Sequence, residues 1–597
     1  MVRSLRRSSV IVATLGMSLL LPSIAMADEP MVQIEGTASQ SLRDTILSVL
    51  GPVDAAPRSM AQARRRAKEA AAQAESVLRS QGYYSADVIA TVRERDTTKK
   101  SDKRNAPTPT LTINSGPQFL FSEISVKYAD TSPSIAEDIR RAIVLKPQDA
   151  AIAANVVAAE LRAVNLLRSK GYPEAKALPR EAVVDHATQT MRVTYRISAG
   201  PLTRFGEIEQ SGTAYIAKTW PKMVAPFEAG EIFDDRKLNR LSSRVIGTGA
   251  FDSASATLGD TVTKNEDGTV TRNVFLNVDQ GAINTISGEV GYSTTDGSGI
   301  DVIYERRNFI GYAQTLRLIG TAKTNEISAA VAYNIPFAWR VDRELDLGAS
   351  VSREDTDAFT GERARANALM TQKLSRKFKV SLGAAFEASQ YEEEGVEVRS
   401  LLFDGLLKAN YDSRNSIFDP ETGFLILADV TPTYNFGDDD GFFTNAEVSG
   451  ATYKRVSDNF VLAGRLKAGT IFGADQTSVP LNRRYYGGGG GSVRGFGYQS
   501  ISPTNANGDL IGGRSLAEGS VEVRYRGSGK LGFVGFVDAG SVTRSDLPSF
   551  GDVRYGAGVG VRYYTSFAPL RADIAIPINK RDSDNSVQVY ISIGQAF

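Results

Sequence analysis

From Thr285 to Phe597 the chain shows no helical period, and short segments instead alternate apolar with polar side chains. Between Phe460 and Ala468, Leu462, Leu466 and Ala468 fall on one side of a pleat and Arg465 and Lys467 on the other. The same period of two puts Val521, Val523 and Tyr525 outward with Glu522 and Arg524 inward. Further on it puts Leu570, Ala572, Ile574 and Ile576 outward with Arg571 and Asp573 inward. Lipid can take the first face and a wet lumen the second. A soluble sandwich also alternates, so the solvent is decided by other features: a secretory leader, the lack of a long apolar helix, and richness in Gly and Tyr. The expected fold of residues 282–597 is an all-β transmembrane barrel of about 16 antiparallel strands, an even number as bacterial barrels require. Its first strand (Thr285–Ser293) and last strand (Val587–Phe597) must meet to close the cylinder. Gly288 and Gly291 in the first and Gly594 in the last weaken that seam, and a weak seam can open sideways. The last strand sets Val589, Ile591, Ile593 and Phe597 on one face, with Gln595 interrupting it.

The first half has a different period. Gly116-Pro117 is followed by Phe121, Glu123 and Ile124, and Gly200-Pro201 by Phe205, Glu207 and Ile208 at identical offsets. Upstream, Leu78-Arg79-Ser80-Gln81-Gly82-Tyr83 closes one helix and Leu167-Arg168-Ser169-Lys170-Gly171-Tyr172 another, with Gly82 and Gly171 where a helix end wants positive φ. Ala63, Ala67, Ala70, Ala74 and Val77 mark one helix face, and Val156, Ala159, Ala163, Leu166 and Leu167 a second. A third unit places Asp234 as an N-cap, Leu238, Leu241 and Val245 on one face, and Phe251 at the start of a strand after Gly249. Three α+β repeats of roughly 80 residues, each strand, helix, helix, strand, strand, therefore precede the barrel. Their expected bounds are 28–116, 117–200 and 201–281.

Composition narrows the function. Net charge is +1 over 597 residues, so no nucleic-acid footprint is expected, and the absence of cysteine removes disulfides, thiol catalysis and zinc–thiolate sites. The single histidine, His186, reads as a surface loop residue and has no second imidazole with which to share a metal. No catalytic residue, cofactor or metal site is expected, because a Ser nucleophile in the barrel would have no histidine beside it. Arg3, Arg6 and Arg7, an apolar run from Val10 to Leu21 and Ala25-Met26-Ala27 read as a signal peptide over residues 1–27. The basic stretch around Lys99, Lys100, Lys103 and Arg104 reads as a solvated loop, and Arg64-Arg65-Arg66 as the wet face of a helix.

A long loop from about Gln476 to Gly513 carries Arg483, Arg484, Tyr485, Tyr486, five consecutive glycines and then Val493-Arg494-Gly495-Phe496. The glycines do not make a phosphate loop, since no Gly-Lys-Ser/Thr follows and no strand-to-helix turn surrounds them. Val-Arg-Gly-Phe in such a loop, followed by a strand with Phe536, Asp538 and Gly540, resembles the superfamily of the barrel-assembly protein, the organellar import barrels and the two-partner secretion transporters. Asn308-Phe309-Ile310-Gly311, Tyr411-Asp412-Ser413-Arg414 with Asp419-Pro420 and Gly423, and Gly558, Gly560, Arg562, Pro569 and Asp573 resemble further superfamily positions. The N-terminal repeats resemble POTRA domains. The resemblance implies that the loop folds into the lumen, where Arg494 meets acidic wall residues, here Asp538 or Glu522. It also implies that Val589, Ile591, Ile593 and Phe597 form a terminal strand signal. Three repeats most resemble the translocation-and-assembly-module (TamA-like) branch. That branch implies an outer-membrane location and insertion of unfolded outer-membrane proteins, notably autotransporters, with a TamB-like inner-membrane-anchored partner that bridges the periplasm. Outer-membrane lipids are the remaining partner, and a phospholipid conduit or passive channel is the alternative function.

Overall fold

The computed structural model describes residues 29–597 apart from 54–55, 94–106, 295–296, 394, 439, 550, 567 and 583. The leader assigned to residues 1–27 and the cluster Lys99 to Arg104 lie outside the described residues. The chain divides into two compact units, one reaching Thr203 with Ile232–Asp234, the other comprising Arg204–Glu231 and Asp235–Phe597.

The first unit holds two α/β modules of the same plan. In the first, strand Gln33–Gly36 runs parallel to Thr108–Asn114, with Asp87–Arg93 antiparallel on its other side, and helices Gln40–Leu50 and Met60–Ser80 cover the sheet. The long helix forms because small residues recur at helical spacing; Ala63, Ala67, Ala70, Ala74 and Val77 are all buried. The Ser59 side chain caps its start by accepting from Gln62 N at 3.2 Å. It ends where Gly82 takes φ 90° and Tyr83 N donates to Leu78 O at 2.9 Å. In the second module Leu120–Tyr128 runs parallel to Thr190–Ser198, with Lys176–Asp185 antiparallel, under helices Ala136–Ile143 and Ala153–Ser169. Val156, Ala159, Ala163 and Leu167 are buried against Phe121, Val193 and Tyr195, while Leu166 is only partly covered. His186 lies exposed in the turn that follows Lys176–Asp185, the surface loop position expected. Its Nδ1 stands 3.2 Å from Ser85 Oγ and its ring meets Phe119 edge-on at 5.5 Å, so it packs at the junction of the two modules.

The second unit carries the third sheet, in which Phe251–Leu258, Val270–Gln280 and the short Thr263–Lys264 are joined by the strand that leads in from Thr203 to Ser211. Helix Asp235–Ile246 buries Leu241 and Val245, and Leu238 is half-buried.

The barrel is a closed cylinder of sixteen strands, each hydrogen-bonded to its sequence neighbours, from Asn284–Ser293 to Gln588–Ile593. The alternation expected from the sequence is realised: Val521, Val523 and Val537 lie outward and exposed, and Glu522, Arg524 and Asp538 lie inward and buried. One expectation is corrected. The last strand stops at Ile593, and Phe597 does not share the outward face of Ile591 and Ile593. Gly594 adopts φ 89°, and Gln595 N donates to Phe418 O at 3.2 Å. The chain therefore leaves the ladder, and the Phe597 ring lies near Tyr453 with the Arg465 and Arg524 guanidinium groups 5.6 and 5.4 Å from it. Two cations near the ring and a partly closed apolar seat hold the aromatic there.

In the second module Tyr195 is fully buried and donates to Val156 O at 3.1 Å. Burial, with the Glu160 charge adding to it, pushes the phenol up to about 12. The folded form therefore holds its proton more tightly than the unfolded form, and the corresponding stability is present below the unfolded value near 10 and lost as pH rises toward 12. We expect a slope of about 1.4 kcal/mol per pH unit in the unfolding free energy over that window, measured by denaturant titration of the N-terminal modules, and its removal in Tyr195→Phe.

Candidate functional site: the lumen loop and the seam

Adjacent strands put the acidic wall together. Ser515–Arg526, the twelfth barrel strand, turns Ser520 and Glu522 inward; Leu531–Thr543, the thirteenth, turns Phe536 and Asp538 inward; Pro569–Pro577, the fifteenth, supplies Asp573. Each faces the lumen because the pleat sends alternate side chains to one side. Residues 473–514, between the eleventh and twelfth strands, fold into this space.

Arg494 is 2% exposed and saturates its donors on the wall. Nε and Nη2 engage Asp538 Oδ2 and Oδ1 at 2.7 and 2.9 Å, and the Arg494 backbone N–H adds a third bond to Oδ2 at 3.0 Å. Nη1 reaches Glu522 Oε1 at 2.7 Å and Asp573 Oδ2 at 3.4 Å, and Nη2 reaches Ser520 Oγ at 3.3 Å. The guanidinium also lies 3.4 Å from the centre of the Phe536 ring. Glu522 is further bound by Arg524 at 2.8 Å, and Asp573 pairs with Arg562. Buried ions of both signs thus alternate, and each offsets the desolvation of the next.

The rest of the motif fixes the backbone. Val493 and Phe496 are buried with Ile501. Gly495 has φ 101° and donates its N–H to Tyr590 Oη at 3.0 Å. On the wall, Gly556 lies so close to the loop that a Cβ there would stand 1.8 Å from Arg494 O.

Several of these contacts were not legible in the sequence. The sequence marks Asp573 as an inward, superfamily-like position and Phe536 as part of the strand signature with Asp538, but gives neither as a partner of Arg494. A second anchor at Arg483 was missed entirely. Arg483 Nη2 bonds Glu387 Oε2 at 2.9 Å and Asp404 Oδ2 at 3.0 Å, and Arg365 Nη1 bonds the same two carboxylates at 2.8 and 2.7 Å. Glu387 and Asp404 sit on the seventh and eighth strands, Phe378–Glu393 and Val396–Asp412. The loop is therefore held on two separate arcs of wall. The signal available in the sequence was a lone carboxylate, Asp404, inside the apolar run Leu401 to Leu407; the structure buries it fully.

The seam is the sparsest junction of the cylinder. The first strand pairs with the second over ten residues and the fifteenth with the sixteenth over six, whereas the first and sixteenth share two pairs, Tyr292 with Ile591 and Ser293 with Tyr590. Gly291 adjoins that pairing; Gly288 lies on the stretch without a partner on the last strand; Gly594 ends the last strand. Ile286 and Val290 are 75% and 72% exposed on the outward face of that stretch.

Residues 308–597 match the Omp85 superfamily domain. The barrel belongs to the Omp85 superfamily. The chain is 27% identical over 405 residues to the outer membrane protein assembly factor BamA of Nitratidesulfovibrio vulgaris, a match that takes in 62% of this chain and 48% of that protein. It thus spans about half the length of that curated relative. In fold it is similar to BamA from Haemophilus ducreyi lacking POTRA domains 1–3, with a TM-score of 0.67 and 17% identity over 80% of this chain and all of that one. The chain is thus a closed sixteen-strand barrel of the Omp85 superfamily preceded by three POTRA-like α/β modules.

Removing one member of a buried ion cluster leaves its partners uncompensated, typically at about 3–5 kcal/mol. We expect Arg494→Ala and Asp538→Ala to expose residues 473–514 to added protease in intact outer membranes and to lower the temperature at which the folded band is lost on a semi-native gel. Arg494→Lys should not restore protection, because an ammonium cannot span both Asp538 oxygens.

Proposed function

We propose that this Omp85 protein is an assembly factor that inserts unfolded outer-membrane proteins by parting the seam between its first and last barrel strands. The observation that carries the reading is the two-pair seam beside a first strand whose edge from Asn284 to Gly291 has no partner on the last strand. An unpaired edge is a template for another strand. A client segment that pairs with it exchanges solvated or unsatisfied backbone groups for ladder hydrogen bonds. The work needs positioning of strands and no covalent chemistry. The family match over the barrel and the likeness to a protein named as an outer membrane protein assembly factor support the same reading.

The finer assignment is to the TamA-like branch, with autotransporters among the clients and a TamB-like inner-membrane-anchored protein as partner. It is supported by the three modules that precede the barrel in this chain. Edge strands such as Asp87–Arg93 and Lys176–Asp185 offer such a partner a place for β-augmentation. In this scheme Arg494, Asp538 and Glu522 keep the loop docked, so that the wall around the seam has one shape, and Gly288, Gly291 and Gly594 keep the seam light.

Tyr292 and Ile591 face each other across the seam, and the chain has no cysteine of its own. A Tyr292→Cys/Ile591→Cys pair should therefore lock the seam on oxidation. Autotransporter assembly should fall to background when the pair is oxidised, return on reduction, and depend on the TamB-like partner. Assembly by the oxidised form at the parental rate would instead favour a phospholipid conduit or passive channel. At matched outer-membrane levels, Arg494→Ala should impair assembly without comparable loss of the barrel itself.

A further inference from the structure

We propose that Tyr590 is the positioning residue through which the docked lumen loop sets the last strand, and with it the seam. The carboxylates that hold Arg494 most closely, Asp538 and Glu522, stand on the thirteenth and twelfth strands and so fix the loop to a part of the wall that does not border the seam. Tyr590 stands on the bordering strand. Its backbone is paired with Asp573 of the fifteenth strand on one side and with Ser293 of the first strand on the other, and the latter is one of the two seam pairs.

Its side chain points into the lumen and is 2% exposed, packed with Val534, Phe536 and Ala575. The phenol oxygen accepts the Gly495 N–H at 3.0 Å, one residue from Arg494. From the other side the glycine run lies against the ring, where a Cβ at Gly490 would stand 2.9 Å from Tyr590 Cδ1. Phe536 touches both partners, since it packs with Tyr590 and carries the Arg494 guanidinium on its face. One aromatic side chain thus joins the motif's backbone to the strand whose pairing closes the barrel. If the loop undocks, the hydrogen bond and the flat glycine contact are lost together, and the last strand loses its inward restraint at the residue that pairs with Ser293.

This inference rests on the lateral-seam reading only for its consequence in assembly; the experiment reads the seam directly, so either can fail while the other stands. In the full chain, the Tyr292→Cys/Ile591→Cys pair reports the seam, and an Ala329→Cys/Val351→Cys pair reports the ladder between the fourth and fifth strands. Disulfide yield is measured at short oxidation times in outer membranes, with and without Tyr590→Phe, which keeps the ring and removes only the hydroxyl. The expected result is a seam yield lowered by about five-fold, the equivalent of one buried hydrogen bond, with the control pair unchanged. Gly490→Ala, which presses a methyl group on the ring from the loop side, should move the seam in the same direction. Parental seam yields in both variants would overturn the proposal. So would a parallel fall in the control pair, which would show general loosening of the barrel.

Discussion

A guanidinium enclosed in a protein lumen is tolerable only if carboxylates surround it, and that constraint organises the barrel around Arg494. Three carboxylates from three strands must face inward at one level, which fixes the pleat phase of the twelfth, thirteenth and fifteenth strands relative to one another. Their excess negative charge must then be balanced, and Arg524 and Arg562 do so from the same wall. Because a one-residue slip would turn every such charge toward lipid, the cluster also acts against misregistered ladders. Turning Arg524 or Asp538 toward hydrocarbon is destabilising.

Period-two alternation made the wall legible. A residue's face follows from parity alone, so Val521, Glu522, Val523 and Arg524 could be assigned without knowing any neighbour. Helical faces of the N-terminal modules were legible for the same reason, since Ala63, Ala67 and Ala70 carry a local period. What could not be read were partnerships across the lumen. Arg483 meets Glu387 and Asp404 only because the loop crosses to that arc of wall, and no local pattern encodes the crossing. Phe597 failed for a related reason. Parity placed it outward with Ile591 and Ile593, but parity holds only while the ladder continues, and Gly594 with φ 89° ends it. The surface loop position of His186 was legible from its polar local context, but its neighbours Ser85 and Phe119 come from residues far off in sequence.

The same balance bears on the seam. Within hydrocarbon every unpaired backbone group costs several kcal/mol, which is why membranes are crossed by closed cylinders. Here closure rests on two ladder pairs and the adjoining bonds of Thr294 N to Val589 O at 3.0 Å and Val589 N to Thr294 Oγ1 at 2.9 Å, and the tail that would extend the last strand is instead occupied by Phe418 O, Asp419 and the cations beside Phe597. The outward side chains of the unpaired stretch, Ile286 and Val290, remain apolar, so the stretch is suited to lipid in every respect but its backbone. Among the described residues the closing ladder is the shortest of the cylinder, and the unpaired edge of the first strand lies beside it. On the proposed function, addition of a client strand relieves that edge. Among the described residues every other pair of neighbouring barrel strands shares at least six ladder pairs. The loop's position beside Tyr590 therefore matters as well as its charge content: besides the strands that hold Arg483 and Arg494, it touches the last strand, which under the proposed role of Tyr590 governs whether that edge is offered or withdrawn.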